Sequence, residues 1–210
     1  MSNNFEETIP EEADGILMYW FGEIRDGLAE SGKSGIWYGA DPQTDKHIRK
    51  AYASLLEQAY QGKLDNWLQT AKGRLAQILL FDQFSRNIHR GTAQAFAYDE
   101  KALGLCLEGI TLGHDQQLSL IERIFFYHPL EHAEQQDIQA LSVQQFSLLA
   151  SLYTEGEQLQ MASNALRYAI EHRDIIARFG RFPHRNQVLG RVASEEEQNY
   201  LQHGGKRFGQ

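Results

Sequence analysis

Four arginines, Arg178, Arg181, Arg185 and Arg191, fall within the fourteen residues RFGRFPHRNQVLGR, with no acid among them. Guanidinium groups are permanent cations that grip carboxylate or phosphate oxygens in pairs, so such a cluster calls for anions. Three acids elsewhere stand where apolar residues belong. In KGRLAQILLFDQFSRNIHR, residues 72–90, the helix face of Leu75, Ile78 and Leu79 continues as Asp82, Arg86 and His89. In HPLEHAEQQDIQALSVQQFSLL, residues 128–149, Glu131 and Glu134 share the stripe of Leu130, Ile138, Leu141 and Leu148. A carboxylate on a core face must lose its charge or meet a cation, since leaving it charged and alone costs several kcal/mol.

Three chemistries follow. In a structural reading, the arginines neutralise Asp82, Glu131 and Glu134 and bolt the C-terminal region onto the middle helices. In a ligand reading, the cations exceed the acids and leave a pocket for a small carboxylate or phosphate ester, drawn from Asp82, Arg86, Asn87, Arg90, Glu131, His132, Glu134, Arg178, Arg181, His184, Arg185 and Asn186. In a catalytic reading, Glu134 and His184 serve a hydrolase as acid and base. Phe179, Phe182 and the rigid Pro183 hold the loop against the core, which a purely solvated basic loop would not need. The blander account of residues 72–90 gives Phe81, Phe84 and Ile88 the core contact and leaves Asp82 and Arg86 as a solvated i,i+4 pair, worth a few tenths of a kcal/mol.

His128 to His132 spells H-x-x-E-H, which on an unbroken helix puts two histidines on one face for zinc. Pro129 argues for a helix starting there, with His128 outside it as a cap and His132 turned towards Val143 and Phe146. No metal and no cofactor are therefore assigned. The single Cys106 lies on the apolar stripe of Leu103, Leu107 and Ile110, so it reads as packing, and a lone cysteine makes no internal disulfide. No phosphate loop and no G-x-S-x-G elbow occurs, and whether the protein is an enzyme stays open.

The net charge of −8 becomes −12 once the four clustered arginines are set aside. Such a chain repels nucleic acid and anionic membranes, which leaves a small anion or a protein or peptide as partner. The start, MSNNFEETIPEEAD, has no basic, apolar leader, and no apolar run is long enough to span a bilayer, so a cytoplasmic protein is expected.

The elements that must position these groups are helices, because apolar residues recur at three and four and alternating runs are nearly absent. Asp41-Pro42 is an N-cap with proline at the first helical position; Ser194 and Glu197 form a capping box; Gly62, Gly113 and Gly180 end periodic stretches. The spacing predicts helices over 11–30, 43–61, 64–70, 72–89, 96–112, 115–127, 129–154, 157–179 and 194–203. The expected fold is all-α: antiparallel helical hairpins in a tetratricopeptide-repeat-like array or a bundle, with residues 1–10 a flexible tail and 11–210 a single domain.

LLFDQFSRNIHRGTAQAFAYD at 79–99, FYHPLEHAE at 126–134 and RFGRFPHRNQVLGR at 178–191, with Trp20-Phe21-Gly22, resemble over nearly the whole chain a bacterial family known as domain of unknown function number nine-two-four. The resemblance implies a helical fold similar to tetratricopeptide-repeat proteins and no established activity. Asp82, Gln83, Arg86, Asn87, Arg90, Pro129, Glu131, His132, Glu134, Arg178, Arg181, His184, Arg185 and Asn186 sit in its signature strings. His128 falls at a place where the family also takes hydrophobic residues, which weighs further against zinc.

Overall fold

A computed structural model describes residues 9–208; the expected N-terminal tail falls largely outside them. The fold is all-α. Among the described residues, β pairing is limited to one isolated bridge between Arg25 and Leu28.

Helix α1, Glu11–Phe21, buries Ala13, Ile16, Leu17, Trp20 and Phe21 at helical spacing and carries Glu11, Glu12 and Asp14 at its N-terminal end, where the dipole favours them. It stops well before residue 30, because Gly22 adopts φ 65° and turns the chain so that Glu30 N–H reaches the carbonyl of Phe21 at 2.9 Å. A short α2, Ser34–Tyr38, follows, and α3, Pro42–Tyr60, starts on the Asp41 cap, whose carboxylate accepts from the N–H groups of Gln43 and Thr44.

Residues 71–88 are one helical run in three parts: α4, Ala71–Leu79; a π turn, Leu80–Phe84; and α5, Ser85–Ile88. The π turn adds a residue to the helical circuit, and Ser85 Oγ donates to the Phe81 carbonyl at 2.6 Å at its edge. Asp82 lies in this turn and is fully buried. Helix α6, Asp99–Thr111, then leads to α7, Leu120–His132, which starts where the Glu122 carboxylate accepts from the N–H and hydroxyl of Ser119.

The expected break at Pro129 is corrected: α7 runs through it, so His128 is inside the helix rather than a cap. An interior proline costs roughly 3 kcal/mol, and here the buried Phe125, Phe126, Tyr127 and Leu130 around it offset that cost. The chain turns instead at residues 133–135. Gln139 of α8, Gln136–Ala150, fixes this corner by donating its amide to the carbonyls of Leu130, Glu131 and Ala133 at 3.3, 2.6 and 2.8 Å. Glu131 and Glu134 therefore do not share a helix.

Helix α9, Gly156–Phe179, ends on Gly180 in the left-handed region at φ 70°, and α10, Glu195–Gln202, starts on the Ser194–Glu197 capping box. Neighbours in sequence pack as hairpins, α6 on α7, α7 on α8 and α8 on α9, while α1 lies on α4 and α3 on α5. The large core joins α1 to α9, and Cys106 is buried within it. A small satellite core of Ile175, Ile176 and Phe182, flanked by Phe179, Tyr200 and Phe208, underlies the arginine loop.

Candidate functional site

All four clustered arginines meet acids within the chain, and three of them do so at 2.6 to 2.8 Å. Arg178 donates to Glu196 at 2.8 Å on the surface. Arg181 lays Nε and Nη2 against both oxygens of the buried Glu197, at 2.7 and 2.8 Å, and this pairing brings the Glu197 carboxyl down to about 2. Arg191 grips Glu134 end-on at 2.6 and 3.0 Å, and Glu134 also accepts from the Phe182 N–H at 2.7 Å. Burial acts to raise the Glu134 carboxyl, but these hydrogen bonds outweigh it and leave it lowered. Both Glu134 oxygens are thus committed to holding the loop. Asn87 and Arg90 are drawn elsewhere, onto Asp45 of α3 at 2.6 to 2.9 Å.

Arg185 differs. It is only 6% exposed, and its guanidinium lies over the Phe182 ring at 4.5 Å and the Phe96 ring at 4.8 Å. Its Nη1 donates to the His132 carbonyl at 3.1 Å and reaches Asp99 at 3.4 Å. Asp99 is already held by Arg86 through bonds of 2.6 and 3.1 Å. The other edge of the fork, Nε and Nη2 of Arg185, makes no hydrogen bond among the described residues. That edge is the one Arg181 and Arg90 use to bind a carboxylate. Burial, then the nearby Arg86, pushes the Arg185 guanidinium down to about 10.

Around Arg185 stand the other buried groups. His132 Nδ1 and Asp82 Oδ1 are 2.6 Å apart, Gln83 donates to the second Asp82 oxygen at 2.6 Å, and Arg86 lies 3.7 Å away. Burial acts to raise the Asp82 carboxyl; His132 and Arg86 outweigh it and hold it well below the usual range. Glu131 meets no arginine: its nearest cationic candidate is His128 Nε2 at 4.0 Å, and burial, reinforced by Asp82, raises its carboxyl well above the ordinary range. Burial, then His132, brings His128 down to about 3; burial, then Arg185, does the same to His184. His184 Nδ1 and both ends of the Asn186 amide make no hydrogen bond of normal geometry, although Asn186 lies close enough to Glu197 to help lower it.

The unbroken α7 puts His128 and His132 on one helix, with ring centres 5.8 Å apart. His132 spends one ring nitrogen on Asp82, and among the described residues no group of three or more His, Cys, Asp or Glu is placed to hold a metal ion. Two surface hollows lie away from the cluster. One of about 480 Å³ is lined by Arg178, Tyr200, His203 and Lys206; the other, of about 610 Å³, lies between residues 23–31 and Glu157–Gln158. Of the residues expected from sequence, Arg178 alone reaches either.

Sequence reasoning missed Asp99, Phe96 and His172. Asp99 looks like an ordinary acid in the first turn of α6. His172, in mid-α9, faces His132 at 6.1 Å between ring centres and stacks on Phe208 at 3.8 Å. Only the tertiary fold shows either role.

Fold and site together define an all-helical protein with a buried Arg–His–Asp cluster where the π turn, the end of α7 and the arginine loop meet. The chain belongs to the family described as bacterial protein of unknown function, DUF924, whose model matches residues 16–205. It is similar to a solved structure titled as a protein of unknown function, ATU0120, from Agrobacterium tumefaciens. The two are 37% identical, the match covers 92% of this chain and 98% of that one, and the TM-score is 0.76. No curated protein matches. Among the described residues, no helix is long and apolar enough to cross a membrane.

Proposed function

We propose that this protein binds a small oxyanion, a carboxylate or a phosphate ester, at Arg185, in the cytoplasm. The observation that carries this reading is the idle Nε/Nη2 edge of a guanidinium that is almost wholly out of water. A buried cation with a shared, long ion pair is costly, and an anion on that edge supplies the two parallel bonds it lacks. Arg86, His132 and Asn186 are the neighbouring groups that would complete the polar surround.

A second reading has its own support. Arg178, Arg181 and Arg191 are all paired within the chain, as a scaffold that grips a protein or peptide would need, and Leu148, Leu152 and Tyr168 are exposed near and on the α8–α9 hairpin. Isothermal titration with sulfate and with inorganic phosphate, on the wild type and Arg185→Met, separates the two. Binding in the wild type that the variant loses supports the anion site; heats equal in both proteins, or absent from the wild type, refute it.

A further inference from the structure

We propose a second binding site, separate from Arg185: the gap between His128 and Glu131 on α7 takes the hydroxyl of a small uncharged phenol. Glu131 is the residue that carries this inference. It is only 4% exposed, yet its carboxyl makes no hydrogen bond among the described residues. Unlike the sealed, unpartnered atoms Gln77 Oε1 and Ser142 Oγ, its two oxygens keep a trace of contact with solvent. A carboxyl so placed has lost nearly all its water without gaining a partner, and a ligand that reaches it supplies the missing bond.

His128 forms the other side of the gap. The Gln83 amide spends one hydrogen on Asp82 at 2.6 Å and lies 3.3 Å from His128 Nδ1, so Nδ1 accepts the second hydrogen and the ring proton sits on Nε2. Burial, followed by His132, brings this imidazole down to about 3, so it is neutral and has that one N–H to give. Nε2 lies 4.0 Å from Glu131 Oε2, too far for a hydrogen bond, and finds no other partner among the described residues. One oxygen atom at about 2.8 Å from both fits between them. It accepts from Nε2–H, and Glu131 offers it a lone pair in either protonation state; a hydroxyl accepts and donates at a single atom. Burial, then Asp82, raises the Glu131 carboxyl well above the ordinary range, which favours its neutral form and an uncharged guest.

The surroundings are aromatic. Phe125 sets its ring edge-on to His128 with centres 4.5 Å apart, Trp37 lies 4.9 Å from Phe125, and Tyr38 follows Trp37 on α2. Tyr38 is 68% exposed, yet burial heads the causes that push its hydroxyl up to about 12, followed by Glu131 and by Tyr168 of α9. A ring open to solvent with protein massed around it stands in a hollow, and here Glu131 acts on its hydroxyl. A molecule whose hydroxyl reaches Glu131 therefore finds aromatic neighbours for an attached ring.

The probe is 4-fluorophenol, unionised at pH 7 and followed by fluorine NMR with the full-length protein. Its partner probe, 4-fluoroanisole, has the same ring with the hydroxyl capped by methyl. The expected result is saturable binding of the phenol, with the anisole at least about tenfold weaker because the methyl group removes the donor and keeps the oxygen out of the gap. Nitrogen NMR of histidine-labelled wild type should show the His128 Nε2 signal moving as the phenol is added, a readout that needs no variant to fold. Glu131→Leu and His128→Leu should each weaken the phenol about fivefold, the worth of one neutral hydrogen bond, and leave the anisole unchanged. Equal affinity for the two probes, no binding of the phenol, or binding that leaves His128 Nε2 unmoved overturns this inference. None of those outcomes touches the Arg185 reading, which stands or falls on its own titration with sulfate and phosphate.

Discussion

Arg181 and Arg185 stand four residues apart on one loop, and their environments are the reverse of what electrostatics alone would arrange. Arg181 keeps 32% of its side chain in water and is paired on both oxygens of Glu197; Arg185 keeps 7% and shares one long contact with an acid that Arg86 already holds. Desolvating a cation is tolerable when a carboxylate meets it squarely, so the better pair belongs with the more buried group. Arg191 is an intermediate case, with an idle Nε but both Nη atoms spent on Glu134. The difference teaches that the outer arginines tie the C-terminal region down through close ion pairs, whereas the inner one is buried with a long, shared ion pair, a carbonyl and two aromatic rings.

The strongest way to break this contrast is to remove the outer pair. Arg181→Ala strands the Glu197 carboxylate, which is nearly inaccessible and also fastens the start of α10 through the Ser194 N–H at 2.7 Å. The expected outcome is a urea midpoint clearly below that of the wild type, because the nearly inaccessible carboxylate is left without its guanidinium. An unchanged midpoint would place this pair with ordinary surface bridges.

Acid should act next, through the inner group's neighbours. His184 is neutral in the fold, with its imidazole brought down to about 3, while in the unfolded chain it protonates near 6.5. Between those values the unfolded state holds more protons, so stability present above about pH 6.5 drains away as pH falls towards 3, at up to about 1.4 kcal/mol per unit for each such ring. His184→Phe should make that limb shallower in melting curves, leaving His128 to supply part of the slope. The Glu131 carboxyl runs the opposite way. Burial raises it well above the ordinary range in the fold, while in the unfolded chain it ionises above about 4.3, so it lowers stability as pH rises. Glu131→Gln should leave acid stability unchanged and raise Tm at pH 7 relative to the wild type.

What the sequence could show follows from range. The Asp41-Pro42 cap, the Gly180 stop and the Ser194–Glu197 box are local signals, and α3, α9 and α10 stand where those signals place them. The run of α7 through Pro129 was not legible, because the residue that caps its end, Gln139, lies on the next helix. Asp82, Glu131 and Glu134 stood out as acids among apolar residues, yet their partners did not. Glu134 takes Arg191, Asp82 takes His132, and Glu131 takes no arginine. Which cation meets which acid is decided by how three distant segments fold together, and no spacing rule encodes that.

The smallest expected effect is the sharpest test of the comparison. Arg185→Met keeps much of the side-chain length that packs between Phe96 and Phe182 and removes the guanidinium. Asp99 stays bound to Arg86 through two hydrogen bonds, so no buried anion is stranded. The lost groups are a hydrogen bond to the His132 carbonyl, a 3.4 Å contact and two cation–π contacts, set against a desolvation cost that disappears with them. Stability should therefore change by less than about 1 kcal/mol in either direction, less than for Arg181→Ala. A fall as large as that of the outer pair would mean that Arg185 is a structural bolt like its neighbours, and the case for an anion on its idle edge would go with it.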